Sequence, residues 1–220
     1  MKRNFLKGCL FVMLACLGGC FSMVAQPFIN EIKEFTRQDA GQMPPTGQIL
    51  FTGSSSFRLW KDMQLYFPGK PILNRGFGGA SLTDVIYYAD EVIFKYQPGK
   101  IVLYCGENDL AASSTITADT VVARFVQLFE LVRDRMPQVP IVYVSIKPSP
   151  SRRSLMPAML QANTKIRQFL QQQKKTRYVD VYHKMLDATG NPLTHIFTSD
   201  SLHMNGDGYK IWQKALKRYL

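Results

Sequence analysis

The chain has 220 residues, 46% of them hydrophobic and 20% charged, with a formal net charge of +11. That is room for one ordinary domain with a sizeable core, too little for two comfortable ones, and the wrong composition for a disordered chain. The basic excess is scattered. Lys165, Arg167, Lys174, Lys175 and Arg177 suit a solvated helix face and its C-terminal end. No basic run is interleaved with aromatic residues, so no nucleic-acid partner is expected.

The chain opens on a basic head, Lys2, Arg3 and Lys7, followed by the apolar run Cys9 to Gly19. The run has the length of a secretory leader and falls short of the roughly 20 apolar residues a membrane span needs. Export to a periplasm or cell surface is therefore expected. Two processing routes fit. Leu17-Gly18-Gly19-Cys20 resembles a bacterial lipobox, which would remove residues 1–19 and leave Cys20 as a lipid anchor to the membrane. Cleavage after Ala25 would instead remove residues 1–25 and give a soluble secreted protein. Three of the four cysteines lie in this leader, which leaves Cys105 unable to form an internal disulfide. Within Ile101-Val-Leu-Tyr-Cys105 it reads as a small buried hydrophobe.

Residues 26–47 form an N-terminal segment that ends in the turn Met43-Pro-Pro-Thr-Gly47. From residue 48 to 220 short apolar runs alternate with amphipathic stretches. The runs Gln48–Thr52, Pro71–Asn74, Lys100–Tyr104, Pro140–Ser145 and Tyr178–Val181 read as strands buried on both faces. Helices are predicted over Asp119–Met136, Met156–Gln173 and Asp207–Leu220. The first carries Val122, Phe125, Phe129, Val132 and Met136 at spacings of three and four, and the last aligns Ile211, Trp212, Ala215, Leu216 and Tyr219. Such alternation predicts an α/β fold with a parallel sheet of about five strands and helices on both faces. Sites in these sheets lie at the carboxyl ends of the strands, which places Gly53–Ser56, Gly76–Gly79, Cys105–Asp109 and Ser145–Pro150 on one rim.

Chemistry-bearing residues gather on that rim. In Gly53-Ser54-Ser55-Ser56 a strand gives way to a helix, so a hydroxyl is held at a turn; an ordinary serine-rich helix cap has the same pattern. A phosphate cradle would need the Gly-x-x-x-x-Gly-Lys pattern, which is missing. Asp200-Ser-Leu-His203, in a loop before the last helix, supplies a base and a carboxylate to orient it, with Asn205 placed to cap that helix. Asp180-Val-Tyr-His183 has the same spacing. It falls on the strand predicted over Tyr178–Val181, where residues three apart point to opposite faces, so this pair is not expected to cooperate. His195 has no carboxylate near it in sequence and reads as a packed or surface residue. Gly79 can offer an unobstructed backbone N–H and Asn108 a side-chain amide, the donors an oxyanion needs; each also fits a plain turn.

The ordered set Gly53-Ser-Ser55, Asn74-Arg-Gly-Phe-Gly-Gly79, Gly106-Glu-Asn108-Asp109 and Asp200-Ser-Leu-His203 resembles the SGNH hydrolases, or GDSL esterase/lipase family, across roughly Gln48 to Leu220. Within that family the motifs resemble the platelet-activating-factor acetylhydrolase-like and carbohydrate acetylesterase-like bacterial branches. The resemblance implies a flavodoxin-like three-layer α/β/α sandwich. It implies Ser55 as nucleophile, His203 as general base and acid, and Asp200 as its orienting partner. The oxyanion hole would comprise the Ser55 and Gly79 N–H groups and the Asn108 side chain. No metal or organic cofactor is implied. The family usually has Gly-Asp-Ser in the first motif, and Ser54 stands here in place of the Asp. Ser54 and Ser56 would then be a turn residue and a cap. The implied activity is that of an exported serine esterase acting on short acyl, above all acetyl, esters of carbohydrate or related substrates. A lysophospholipase or thioesterase with a longer acyl preference, and a non-catalytic glycan-binding surface lipoprotein, are the alternatives.

Overall fold

A computed structural model describes residues 27–220. The leader, Cys20 and both cleavage positions lie outside the described residues.

Five strands, β1 (Ile49–Gly53), β2 (Ile72–Gly76), β3 (Lys100–Tyr104), β4 (Ile141–Val144) and β5 (Thr176–Val179), form one parallel sheet in the order β2-β1-β3-β4-β5. This is the flavodoxin-like order. Helix α1 (Ile29–Gly41) precedes the sheet. Short helices α2 (Ser55–Arg58), α3 (Met63–Tyr66), α4 (Leu82–Tyr87), α5 (Ala89–Val92) and α6 (Glu107–Ala112) follow the first three strands. Long helices α7 (Ala118–Arg135) and α8 (Met156–Gln171) and the closing α9 (Gly206–Leu216) complete the outer layers.

Successive strand residues face opposite ways, and both faces are covered. Leu50, Leu73, Ile101, Leu103, Ile141 and Tyr143 pack beneath α4, α7 and α8 with Val85, Phe125 and Ile166. Phe51, Val102, Tyr104, Val142 and Val179 face Phe57, Trp60, Trp212 and Leu216 on the other side. Burial on both faces explains why the strands read as continuous apolar runs rather than alternating ones. Cys105 is buried and free as expected, its thiol directed at the Ala80 carbonyl.

Register decides what meets at the rim. Gly53 is level with Gly76 on one side and with Tyr104 on the other. Three segments therefore leave the sheet at the same height: Ser54–Ser55, Phe77–Gly79 and Cys105–Asn108. The Gly53 carbonyl accepts the Phe77 N–H at 3.0 Å, and the Tyr104 carbonyl accepts the Ser54 N–H at 2.9 Å. Gly53 has φ of +121°, and a Cβ there would stand 2.0 Å from the Tyr104 carbonyl oxygen. Only glycine lets the chain turn so tightly against β3.

Several bounds differ from the sequence reading: β2 runs to Gly76 rather than ending at Asn74, and α9 ends at Leu216 rather than Leu220. The segment before the sheet contains α1, whose sequence buries only Ile32 and so gives little apolar periodicity. β5 lies two residues earlier than predicted. The N–H groups of Val181 and Tyr182 go to the Ser145 hydroxyl at 2.9 and 3.0 Å rather than to a strand neighbour, although Val181 stays in the core.

Candidate active site

The first rim segment turns straight from β1 into α2, which places Ser55 at the first helical residue. Its hydroxyl lies 3.0 Å from Nε2 of His203 across 148 residues of sequence. The histidine arrives on the loop between Phe197 and Asn205. Phe197 and Met204 pair as an antiparallel bridge, the Thr198 N–H donates to the His203 carbonyl at 2.8 Å, and Ser201 takes a left-handed φ of 57° to close the turn. Asn205 caps α9 as expected, accepting from the N–H groups of Asp207 and Gly208, while its own amide donates back to the His195 and Phe197 carbonyls. Behind α2, Trp60 stacks on Tyr209 of α9, whose hydroxyl donates to the Ser56 carbonyl at 3.0 Å. Packing of α9 on α2 thus sets the distance between histidine and serine.

Asp200 completes the relay. Its Oδ2 lies 2.6 Å from His203 Nδ1, and its Oδ1 accepts from the Leu202 N–H, the His203 N–H and the Thr198 hydroxyl at 2.9, 2.9 and 2.8 Å. Burial pushes this carboxyl up, but hydrogen bonds from the His203 backbone and ring, the Leu202 amide and Thr198 outweigh it and hold the acid well below the usual carboxylate range. An ionised carboxylate on Nδ1 keeps the proton on that nitrogen and leaves Nε2 free to accept from Ser55.

The groups expected to serve as oxyanion donors converge from the neighbouring segments. Gly79 has φ of +70° and is exposed, and Asn108 stands half-buried in the first turn of α6. Among the described residues, no group accepts the N–H of Ser55 or of Gly79. The Asn108 amide donates to Ser54 Oγ at 2.7 Å and to the Ala80 carbonyl at 3.0 Å. Ser54 is therefore more than a turn residue. It stands at the N-cap of α2 without capping it, and its buried hydroxyl fixes the Asn108 amide with nitrogen toward the serine turn. Ser56 does not cap either; it lies within the helix.

A further set of side chains supports the site and had drawn no role from the sequence. Glu107 is buried beside Asn108. It accepts from the Tyr104 hydroxyl at 2.5 Å and from Lys147 Nζ at 2.9 and 3.1 Å, and pairs with Arg152 at 3.3 Å. Burial disfavours its charge, but the Lys147 and Arg152 cations outweigh that and leave the carboxyl below its ordinary value. Lys147 is itself buried, over the Phe197 ring. The network spans from β3 to the histidine loop, which Ser151 also touches by donating its N–H to the Ser201 carbonyl at 3.1 Å. The one sequence signal was a lysine ending the apolar run Ile141–Ile146, where a charge needs a buried partner.

The second Asp-x-x-His pair corrects an expectation. Because β5 ends at Val179, Asp180 lies past the strand, and its carboxylate accepts both the His183 N–H at 3.1 Å and, at 2.6 Å, bonds the His183 ring. The two residues do cooperate. What they lack is a serine: the hollow beside them is lined by Asn163, Thr164, Arg167 and Tyr178 among others, with no serine in its wall. His195 is exposed.

A sequence profile of the GDSL-like lipase/acylhydrolase family matches residues 50–211. The chain belongs to this family. It is an ester-hydrolysing serine hydrolase. No curated protein matches this hydrolase in sequence. Among solved structures, a GDSL-like lipase from Bacteroides thetaiotaomicron superposes with a TM-score of 0.72 at 21% identity, covering 85% of this chain and 95% of that one. A member of the G-D-S-L lipolytic family from Veillonella parvula gives 0.63 at 16% identity, over 80% and 98%. A catalytic mutant of an acetylxylan esterase from Geobacillus stearothermophilus gives 0.62 at 17% identity, over 79% and 94%. At these identities the likeness is one of fold, and it matches the three-layer α/β architecture of this hydrolase.

Proposed function

We propose that this hydrolase is an exported acetylesterase of carbohydrate or related substrates, working through an acyl-serine intermediate at Ser55. The observation that carries the reading is the continuous relay from Asp200 through His203 to the Ser55 hydroxyl, at 2.6 and 3.0 Å. His203 takes the serine proton as Ser55 Oγ attacks the ester carbonyl. The carbonyl oxygen, now negative, is held by the Ser55 and Gly79 N–H groups, each contributing roughly 3–4 kcal/mol to the barrier reduction, and by the Asn108 amide once one of its hydrogens turns from Ser54 or Ala80 to the oxyanion. Collapse expels the alcohol, protonated by the imidazolium, and water then attacks the acyl-enzyme with His203 again as base.

Two features support a short acyl group on a large leaving group. Gly79 is exposed and Ser55, Asn108 and His203 are half-buried, so the reacting atoms sit at the surface and not at the foot of an apolar shaft. The fold is also shared with an acetylxylan esterase. Export follows from the leader, with Cys20 lipidated or Ala25 the last residue removed.

A panel of acetylated oligosaccharides beside short- and long-chain nitrophenyl esters tests the substrate. A peak at long acyl chains would replace this reading with a lysophospholipase or thioesterase. Labelling by a fluorophosphonate that is lost in Ser55→Ala tests the nucleophile; a folded wild type that is never labelled would mark a non-catalytic glycan binder. The mass of the mature N-terminus distinguishes lipidation from cleavage after Ala25.

A further inference from the structure

Helix α1 lies before residue 50, where the family match begins, yet it reaches the rim. Its Glu31 carboxylate accepts the Gly78 N–H with both oxygens, at 3.1 and 3.2 Å, and pairs with Arg58 Nε at 2.8 Å. Arg58 ends α2, the short helix that begins at Ser55. Just ahead of α1, Phe28 meets Phe77 edge-on at 5.4 Å, and its ring would stand 3.6 Å from a Cβ placed on Gly79. A Cβ on Gly78 would come within 2.7 Å of the Arg58 guanidinium and 3.0 Å of the Glu31 carboxylate, so the backbone there is clamped on the side of that pair.

These contacts bracket one peptide. The Gly78–Gly79 amide carries the N–H assigned above to the oxyanion, and glycine on both sides of it leaves its plane free to rotate unless something outside the loop holds it. Glu31 holds the Gly78 N–H, Phe28 closes the far side of Gly79, and Arg58 refers both to the helix that bears the nucleophile.

We infer that Glu31 is a positioning residue for the esterase reaction: through Gly78 and Arg58 it fixes the Gly79 N–H relative to Ser55, making α1 a working part of the oxyanion hole. The inference rests on the serine-esterase reading of the site. Glu31 touches no reacting atom. Its side chain and that of Arg58 are 31% and 44% exposed, so the ion pair adds little to stability and its loss should act on geometry. Misplacement of a catalytic donor by about 1 Å can cost on the order of 100-fold in rate.

The test compares wild type, Glu31→Ala, Glu31→Gln and Arg58→Ala in the full mature chain. With a nitrophenyl acetate substrate, Glu31→Ala should lower kcat by roughly 10- to 100-fold with KM little changed, because the donor acts on the transition state. Fluorophosphonate labelling of Ser55 should slow by a similar factor, while Tm stays close to wild type. Glu31→Gln keeps an oxygen for the Gly78 N–H and should recover most of kcat; Arg58→Ala should fall between. An unchanged kcat in Glu31→Ala overturns the inference, as does a loss that tracks a fall in Tm and is not recovered by Gln. If wild type itself is not labelled at Ser55, the failure belongs to the esterase reading instead.

Discussion

Replacing Asp200 by Asn keeps shape and changes one atom from acceptor to donor, so its effect can be followed atom by atom. Oδ1 accepts three hydrogen bonds, from the Leu202 N–H, the His203 N–H and the Thr198 hydroxyl, whereas Oδ2 meets only His203 Nδ1. Turning the new NH2 group toward the three donors would forfeit three bonds, and turning it toward the ring forfeits one. At about 1 kcal/mol net per bond, the second orientation wins by about 2 kcal/mol, a preference of roughly 30-fold. The NH2 then donates to Nδ1, which must surrender its proton. The ring proton moves to Nε2 and points at Ser55, and the serine loses its base. That inversion of tautomer in a serine triad costs about 10⁴ in kcat, or about 5.5 kcal/mol of barrier. Initial rates on nitrophenyl acetate, with circular dichroism to confirm folding, measure it. Asp180→Asn is the internal control, since it alters the same contact between a carboxylate and a histidine Nδ1 and should leave kcat within twofold. An Asp200→Asn enzyme that keeps more than about a tenth of wild-type kcat would refute the argument.

Other consequences can be checked separately. Ser54→Ala removes the 2.7 Å acceptor that orients the Asn108 amide and should lower kcat about tenfold with KM unchanged, since the donor acts on the transition state. Ser54→Asp, which restores an acceptor, should recover most of it; equal kcat in all three proteins would remove Ser54 from the site. Gly53→Ala should cost more than about 4 kcal/mol in urea denaturation, because the new methyl meets the Tyr104 carbonyl and φ is left-handed; a loss under about 1 kcal/mol would contradict the turn. Glu107→Gln leaves Lys147 buried without its counter-charge and should cost about 3–5 kcal/mol at neutral pH. The sign of its pH dependence follows from the lowered Glu107 carboxyl. Its contribution is complete above the unfolded value of about 4.3 and is lost as pH falls through the lower folded value. Tm should therefore fall less steeply with acid in the variant than in wild type, and equal slopes would assign the acid sensitivity elsewhere.

Much of the scaffold was legible because burial on both faces leaves a direct imprint: an unbroken apolar run such as Lys100–Tyr104 became β3 without adjustment. The long helices announced themselves through Phe125, Phe129, Trp212 and Leu216 at helical spacing. Less was legible where a side chain outside the pattern decided the outcome. The Ser145 hydroxyl ends β5 two residues early, and nothing near Tyr178 in sequence foretells it. Glu31 likewise reaches the rim from a distant segment, where a lone charge looks like any other.

The two Asp-x-x-His pairs separate the contributions most clearly. Their contact is short-range: in each, the carboxylate accepts the histidine N–H three residues on and bonds Nδ1 at 2.6 Å. The sequence therefore determined that the chain would hold two Asp-x-x-His pairs, a Gly-Ser-Ser-Ser turn, and a glycine and an asparagine at neighbouring strand ends. Which histidine meets a serine was decided by tertiary structure. The Ser55–His203 contact spans 148 residues and exists because parallel register aligns the strand ends while α9 packs on α2. His183, just past the edge strand β5, has the same carboxylate contact, and the hollow beside it has no serine in its lining.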